Sequence, residues 1–331
     1  LWGVPMIVLL LGTHLYLTIR LKFPQRYIFK AIRLSVKRDK GSTGDVSQFS
    51  ALATSLAGTI GTGNIIGVAT AVTMGGPGAV FWCWMTGVLG IATKYAEGLL
   101  AVKYRVQTED GKMLGGPMYA LERGLGCRWL GWAFALFTIL ASFFIGNMIQ
   151  CNSISMLLEE GYHIPPFTTG VTIALLTCAV IMFGVKGIAR VCEGLVPFMA
   201  VFYVGGCLWL LGVNHAYVWP ALRLIVTDAF SPQAATGGFV GASMMIAMRY
   251  GIARGLFSNE SGLGSAPIVA AAARTKNPVR QALVSSTSPF WDTVVICAIT
   301  GLVLVSSIMA NPDIDSTAGA TLTKVAFGQI P

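Results

Sequence analysis

The chain has 331 residues, 54% of them hydrophobic and only 11% charged, with a formal net charge of +9. Soluble domains carry about 25% charged residues, so this composition sets aside a water-soluble enzyme built around one core. A bilayer core about 30 Å thick takes roughly 20 apolar residues per helix, and such runs recur along the chain. The class expected is an all-α polytopic membrane protein in a lipid bilayer.

Apolar runs bounded by charges, Pro and Gly place the first span near 2–20. No secretory signal pattern precedes it and the chain opens on Leu1, so it reads as a piece of a longer reading frame. The stretch 20–40 is basic and can touch anionic headgroups, although topology accounts for most of its charge. A second span covers 46–74 and contains GTIGTGNIIG at 58–67. The third, 79–101, carries Lys94 and Glu97 three apart on one face, read as a local ion pair that lets Lys94 snorkel. The fourth, 130–157, puts Asn147 and Gln150 on one face, either as glue between helices or as ligand contacts. Spans at 168–185 and 188–212 follow, then 236–270 with MRYGIARGLFSNESGLGSAP at 248–267, and finally 281–308. Asp292 falls about mid-membrane in that last span with no partner in its own helix. A structural bond to a neighbouring helix and a cation or proton role both remain open for it.

Basic residues set the orientation. Arg20, Lys22, Arg26, Lys30, Arg33, Lys37, Arg38, Lys40, Lys103, Arg105, Lys112, Arg123, Arg128, Lys186, Arg190, Arg274, Lys276 and Arg280 share one side; the opposite loops hold only Arg223 and Lys324. Eighteen against two predicts an outward N-terminus and an outward residue 331. The net charge then calls for no nucleic-acid partner. The seven cysteines are odd in number and form no CxxC, and six lie in apolar runs as small hydrophobes. His14, His163 and His215 have no metal-ligand spacing, and no cofactor is expected.

The decapeptide GTIGTGNIIG fails the phosphate-loop test, because Asn64 and Ile65 stand where Lys and Ser/Thr are required. It also misses the dinucleotide fingerprint by one residue and follows no strand. Gly63 and Gly67 form a GxxxG, which alone would mean helix packing. Glycine costs about 1 kcal/mol in a helix interior, however, and three of them within six residues, among Thr59, Thr62 and Asn64, predict an unwound turn. Non-helical backbone at that depth is tolerated where it lines a cavity; its carbonyls suit a cation and the following helix N-terminus suits a carboxylate. A second break is predicted at 248–267, with Gly251, Gly255, Gly262 and Gly264 among Ser258, Asn259, Glu260 and Ser261. Gly58 to Gly251 is 251 − 58 = 193 residues, and the two helices run in opposite directions, the mark of an inverted-topology repeat.

At GTGNIIGVATA, GGPGAVFWCW, GGPMYALERGLG, NMIQCNSI, GIARGLFSNESGLGSAP and NPVRQALVSS the chain resembles the alanine/glycine:cation symporter family, the sodium:alanine symporters. The resemblance implies sodium-coupled transport of alanine or glycine, with sodium a co-substrate, in the plasma membrane. It also implies a leucine-transporter-type fold in a single domain over 1–331: an extra helix at 2–20, a first repeat at 46–212 and a partial second repeat at 236–331. On that pattern the second repeat stops after core helix 7, and three further spans, about 100 residues, would follow. The resemblance further implies that Gly61, Thr62, Gly63 and Asn64 face the substrate carboxylate and that carbonyls around Tyr250, Gly251 and Phe257 receive its ammonium. Gln150 contacts the amino acid; Thr59, Asn64 and Asp292 bind sodium; Arg254, Asn259 and Glu260 form an inner gate. A proton-coupled or exchanging amino-acid transporter is the alternative, and a channel or structural membrane protein leaves the paired breaks without a purpose.

Overall fold

Helix α1 (Val4–Arg20) ends where Lys22 and Phe23 both take left-handed backbone, and the chain bends by 66° through a 3-10 turn into α2 (Ile28–Val36). The computed structural model that shows this describes residues 4–37, 39, 41–231, 244–317 and 319–328. Residues 2–3, Arg38, Lys40, the start of the span expected at 236–270, and residue 331 lie outside the described residues. α2 was not expected, since 20–40 is too charged to stand out as an apolar run. It is amphipathic all the same, burying Ile28, Ala31 and Ser35 at helical spacing.

Ser47 caps α3 (Gln48–Thr59), its hydroxyl accepting from the Ser50 N–H at 2.9 Å. Ile60 is extended, and the helix resumes only as a π turn over Gly63–Gly67 leading into α4 (Val68–Gly75). The two halves meet at 49°. The break expected within 58–67 is therefore present at 60–62. Helix α5 (Gly78–Lys103) starts where the carboxylate of Asp228 accepts the Gly78 N–H at 2.9 Å. Burial pushes the Asp228 carboxyl above its ordinary value, and the Gly78 N–H pulls it back.

A short antiparallel hairpin, β1 (Val106–Gln107) with β2 (Met113–Leu114), leads to the single turn α6 (Pro117–Tyr119). Helices α7 (Arg128–Ala141) and α8 (Asn147–Tyr162) join through a π turn over Ser142–Gly146 into one 35-residue run. Then come α9 (Pro166–Ile181), α10 (Gly184–Val213), α11 (His215–Asp228), α12 (Met244–Asn259) and α13 (Ala266–Ala271). A 33-residue run follows, made of α14 (Pro278–Ser286), a π segment over Phe290–Cys297 and α15 (Ala298–Ala310), and α16 (Leu322–Phe327) closes the described chain.

Among the described residues three helices are long and apolar enough to cross a membrane, or up to five if each bent pair is one span. Of the other spans expected, α5 is long enough at 26 residues but is less apolar, carrying Lys94 and Glu97, and α9 has only 16 residues. The faces of α7 to α10 expose Phe137, Phe144, Phe198 and Phe202, apolar surface that suits lipid.

The second break expected within 248–267 is present at 260–265, where Glu260, Gly262 and Gly264 adopt φ of 52°, 90° and 81°, whereas α12 runs unbroken through Gly251 and Gly255. Gly251 and Gly255 serve close packing instead: a Cβ on the first would strike the Ala79 carbonyl of α5, and one on the second the Thr86 hydroxyl. Lys94 does not snorkel. It is only 1% exposed, with its ammonium 3.9 Å from Glu97, because α5 is surrounded by α1, α12 and α14 at that depth.

Candidate functional site

The break at 60–62 leaves backbone groups without helical partners, and Asn64 reaches back to one of them. Its Oδ1 accepts the Gly61 N–H at 2.8 Å. Its Nδ2 donates to the Asp292 carboxylate at 2.8 Å and lies 3.1 Å from the Ser258 hydroxyl and 3.2 Å from the Cys297 sulfur. The Asp292 carboxylate also accepts from Ser258 at 2.9 Å and from Thr293 at 2.7 Å. Asn64, Ser258, Asp292, Thr293 and Cys297 are all buried. One knot of hydrogen bonds thus ties the first break to α12 and to the π segment of the last long helix. A π turn offsets its side chains from the helical register, which is why such turns recur at functional positions.

Beside the knot lies an open, mostly apolar cavity of about 1030 Å³ lined by Gly61, Thr62, Gln150, Phe202, Tyr203 and Trp209 among others. Gly61 and Gln150 are in close contact there: a Cβ on Gly61 would sit 3.1 Å from the Gln150 amide nitrogen. Gln150 and the first break, 89 residues apart in sequence (150 − 61), share one wall. On the far side Thr323 of α16 donates to the Ile65 carbonyl at 3.1 Å, so α16 takes up a backbone group of the π turn.

The remaining residues singled out from the sequence are dispersed. Thr59 ends α3 with its hydroxyl 3.4 Å from the Leu56 carbonyl. Gly63 packs on Ser258, 3.4 Å from the position a Cβ would take to the Ser258 Cα. Tyr250, Gly251 and Phe257 sit on α12 and do not line the cavity of Gly61 and Gln150. Tyr250 instead packs against Gly75 at the end of α4. Asn259 precedes the second break and Glu260 opens it: Asn259 Oδ1 accepts the Ser261 N–H at 2.9 Å, and Glu260 accepts from the Ser265 hydroxyl. Arg254 lies apart from both, its Cδ 4.0 Å from the Cβ position of Gly67. Sequence reasoning missed Ser258, Thr293 and Cys297. Ser258 stands in the FSNES block and Thr293 adjoins Asp292, but only the contact across chains of helix identifies them.

A buried carboxylate ringed by hydroxyls and an amide, next to a helix break that borders a cavity, offers hard oxygen ligands to a cation. Comparison with known proteins bears on what passes through. An uncharacterized transporter of Haemophilus influenzae is 54% identical over 331 residues, covering 99% of this chain and 72% of that protein. The sodium/alanine symporter AgcS of Methanococcus maripaludis is 49% identical, with 98% of this chain and 73% of the relative covered. A putative sodium/proton-dependent alanine carrier protein, YrbD, of Bacillus subtilis is 39% identical over 94% of this chain and 63% of its own length. The description of the sodium:alanine symporter family matches residues 1–330. The chain therefore belongs to the sodium:alanine symporter family, a family of cation-coupled amino-acid transporters and not of enzymes.

Proposed function

We propose that this chain forms the binding core of a sodium-coupled importer of a small neutral amino acid, alanine or glycine. The observation that carries the reading is the double engagement of Asn64, which holds Gly61 at the cavity wall with one atom and the Asp292 carboxylate with the other. Sodium would take the oxygens of Asp292 and Ser258 and displace the Asn64 amide hydrogens. Freed of that bond, Asn64 would release the Gly61 N–H toward a substrate carboxylate. The amides of Gly61, Thr62 and Gly63, at the start of a helical segment, would favour that anion, and Gln150 supplies a side-chain contact. A cation that raises substrate affinity must have its own affinity raised by the same factor.

In this reading, alternating access rocks α3, α4, α5, α12 and the 278–310 run against α7, α8 and α9. The protein is multi-pass, with an outward N-terminus and one extra helix before two inverted repeats. The breaks at 60–62 and 260–265 support it. Thr59 remains a proposed backbone ligand of sodium, and Arg254, Asn259 and Glu260 a proposed inner gate. Tyr250, Gly251 and Phe257 are retained as proposed contacts to the ammonium, reached once α12 moves.

A second reading, proton coupling, rests on the same buried Asp292 and on the name of the B. subtilis relative. The deciding experiment is uptake of a panel of small amino acids into proteoliposomes holding the full-length protein, under a sodium gradient or a pH gradient alone. Saturable alanine uptake driven by sodium is expected. Uptake that follows the pH gradient without sodium would replace the sodium reading.

A further inference from the structure

The second break has a holder that the binding site does not account for. Between Asn259 and Ala266 the chain is non-helical, so its N–H groups find their acceptors outside a helix. Two of them, Gly262 N–H and Gly264 N–H, donate to the same oxygen of Glu97 on α5, each at 3.2 Å. Gly262 and Gly264 both have left-handed φ, and alternating left-handed residues aim successive amides into one concavity that suits an anion. Here the anion is a side chain of the protein itself.

The surroundings leave the segment little room. A Cβ on Gly264 would lie 2.7 Å from Phe134 of α7 and 2.8 Å from Pro117 of α6; one on Gly262 would lie 3.2 Å from Leu10 of α1. Lys94, one helical turn before Glu97, is buried with its ammonium 3.9 Å from the second Glu97 oxygen and no hydrogen-bond partner in the described structure. Isolated buried charge is expensive, so each member of the pair is tolerable only while the other is present. Upstream, Asn259 caps Ser261, and Ser258 donates to Asp292 in the knot. The clamp and the knot are four residues apart along one segment (262 − 258).

We propose that Glu97, charge-balanced by Lys94, is a positioning residue that clamps the second break to α5, so that this hinge and α5 move as one body. Glu97 lies outside the cavity of Gly61 and Gln150, and its removal therefore slows turnover without changing what is bound.

Amide hydrogen exchange on the full-length protein tests the clamp directly. In Glu97→Ala, exchange at 262–264 should rise about tenfold or more, as loss of a charged acceptor implies, while α15 stays protected. In the uptake assay, the maximal rate should fall about tenfold with the alanine half-saturation within about twofold. Glu97→Gln strands the Lys94 charge, and the double variant Lys94→Met with Glu97→Gln should recover rate above Glu97→Gln alone. Should Glu97→Ala lose protection in α15 as well, Glu97→Asp, which keeps the charge but shortens the reach, replaces it in the same comparison. Unchanged exchange at 262–264 in the variant that folds, or a double variant no better than the single, overturns the proposal. The uptake arm rests on the proposed transport of alanine, whereas the exchange arm does not, so failure of one is distinguishable from failure of the other.

Discussion

Asn64→Ala severs a side chain that joins the first break to the carboxylate. It removes the 2.8 Å donor bond to Asp292 and the 2.8 Å acceptor of the Gly61 N–H, both at a fully buried position. A hydrogen bond to a charged group contributes about 1.5–3 kcal/mol, and an orphaned buried N–H costs about 1–3 kcal/mol. Asp292 keeps Ser258 and Thr293 as donors, so the fold should survive. If Asn64 transmits sodium binding to the cavity, the loss appears as coupling. At about 1.4 kcal/mol per factor of ten, sodium half-saturation should rise about tenfold or more, and sodium should no longer sharpen the alanine affinity. The assay is alanine uptake into proteoliposomes across a sodium titration, run at low and saturating alanine. A variant of normal abundance whose sodium half-saturation stays within about twofold, with the sodium effect on alanine affinity intact, would refute the coupling role of Asn64.

Further outcomes follow from the same geometry. Gln150→Ala should weaken apparent alanine affinity and leave sodium half-saturation at saturating alanine unchanged, as read by the same two titrations. Gly251→Ala forces a methyl against the Ala79 carbonyl and should lower stability by about 1–3 kcal/mol in thermal unfolding of the detergent-purified protein. Gly58→Ala, with nothing within 4 Å, should be neutral or gain about 0.5–1 kcal/mol in that melt; destabilisation there would contradict the helical assignment of Gly58. Asp228→Ala leaves the Gly78 N–H at the start of α5 uncapped and should cost about 1 kcal/mol in the same measurement.

The sequence by itself determined the membrane class, the position of the first break and the family. Apolar runs report on solvent regardless of what packs beside them, and the glycine density at 58–67 weakens a helix through its own backbone. Asp292 stood out for the same local reason, an ionisable group in an apolar run with no partner in its own helix. What only the tertiary structure decided was which long-range neighbour each polar group meets. Asn64 and Asp292 are 228 residues apart, and Ser258, Thr293 and Cys297 join them only once three helices converge. Where within 248–267 the chain unwinds needed the structure, because glycine weakens a helix and also permits close approach: at Gly251 and Gly255 the neighbouring α5 claims the space, and the chain unwinds further on, where Glu97 accepts its amides. Lys94 was misread for a related reason. Snorkelling needs a path to the headgroups, and the helices packed around α5 close it.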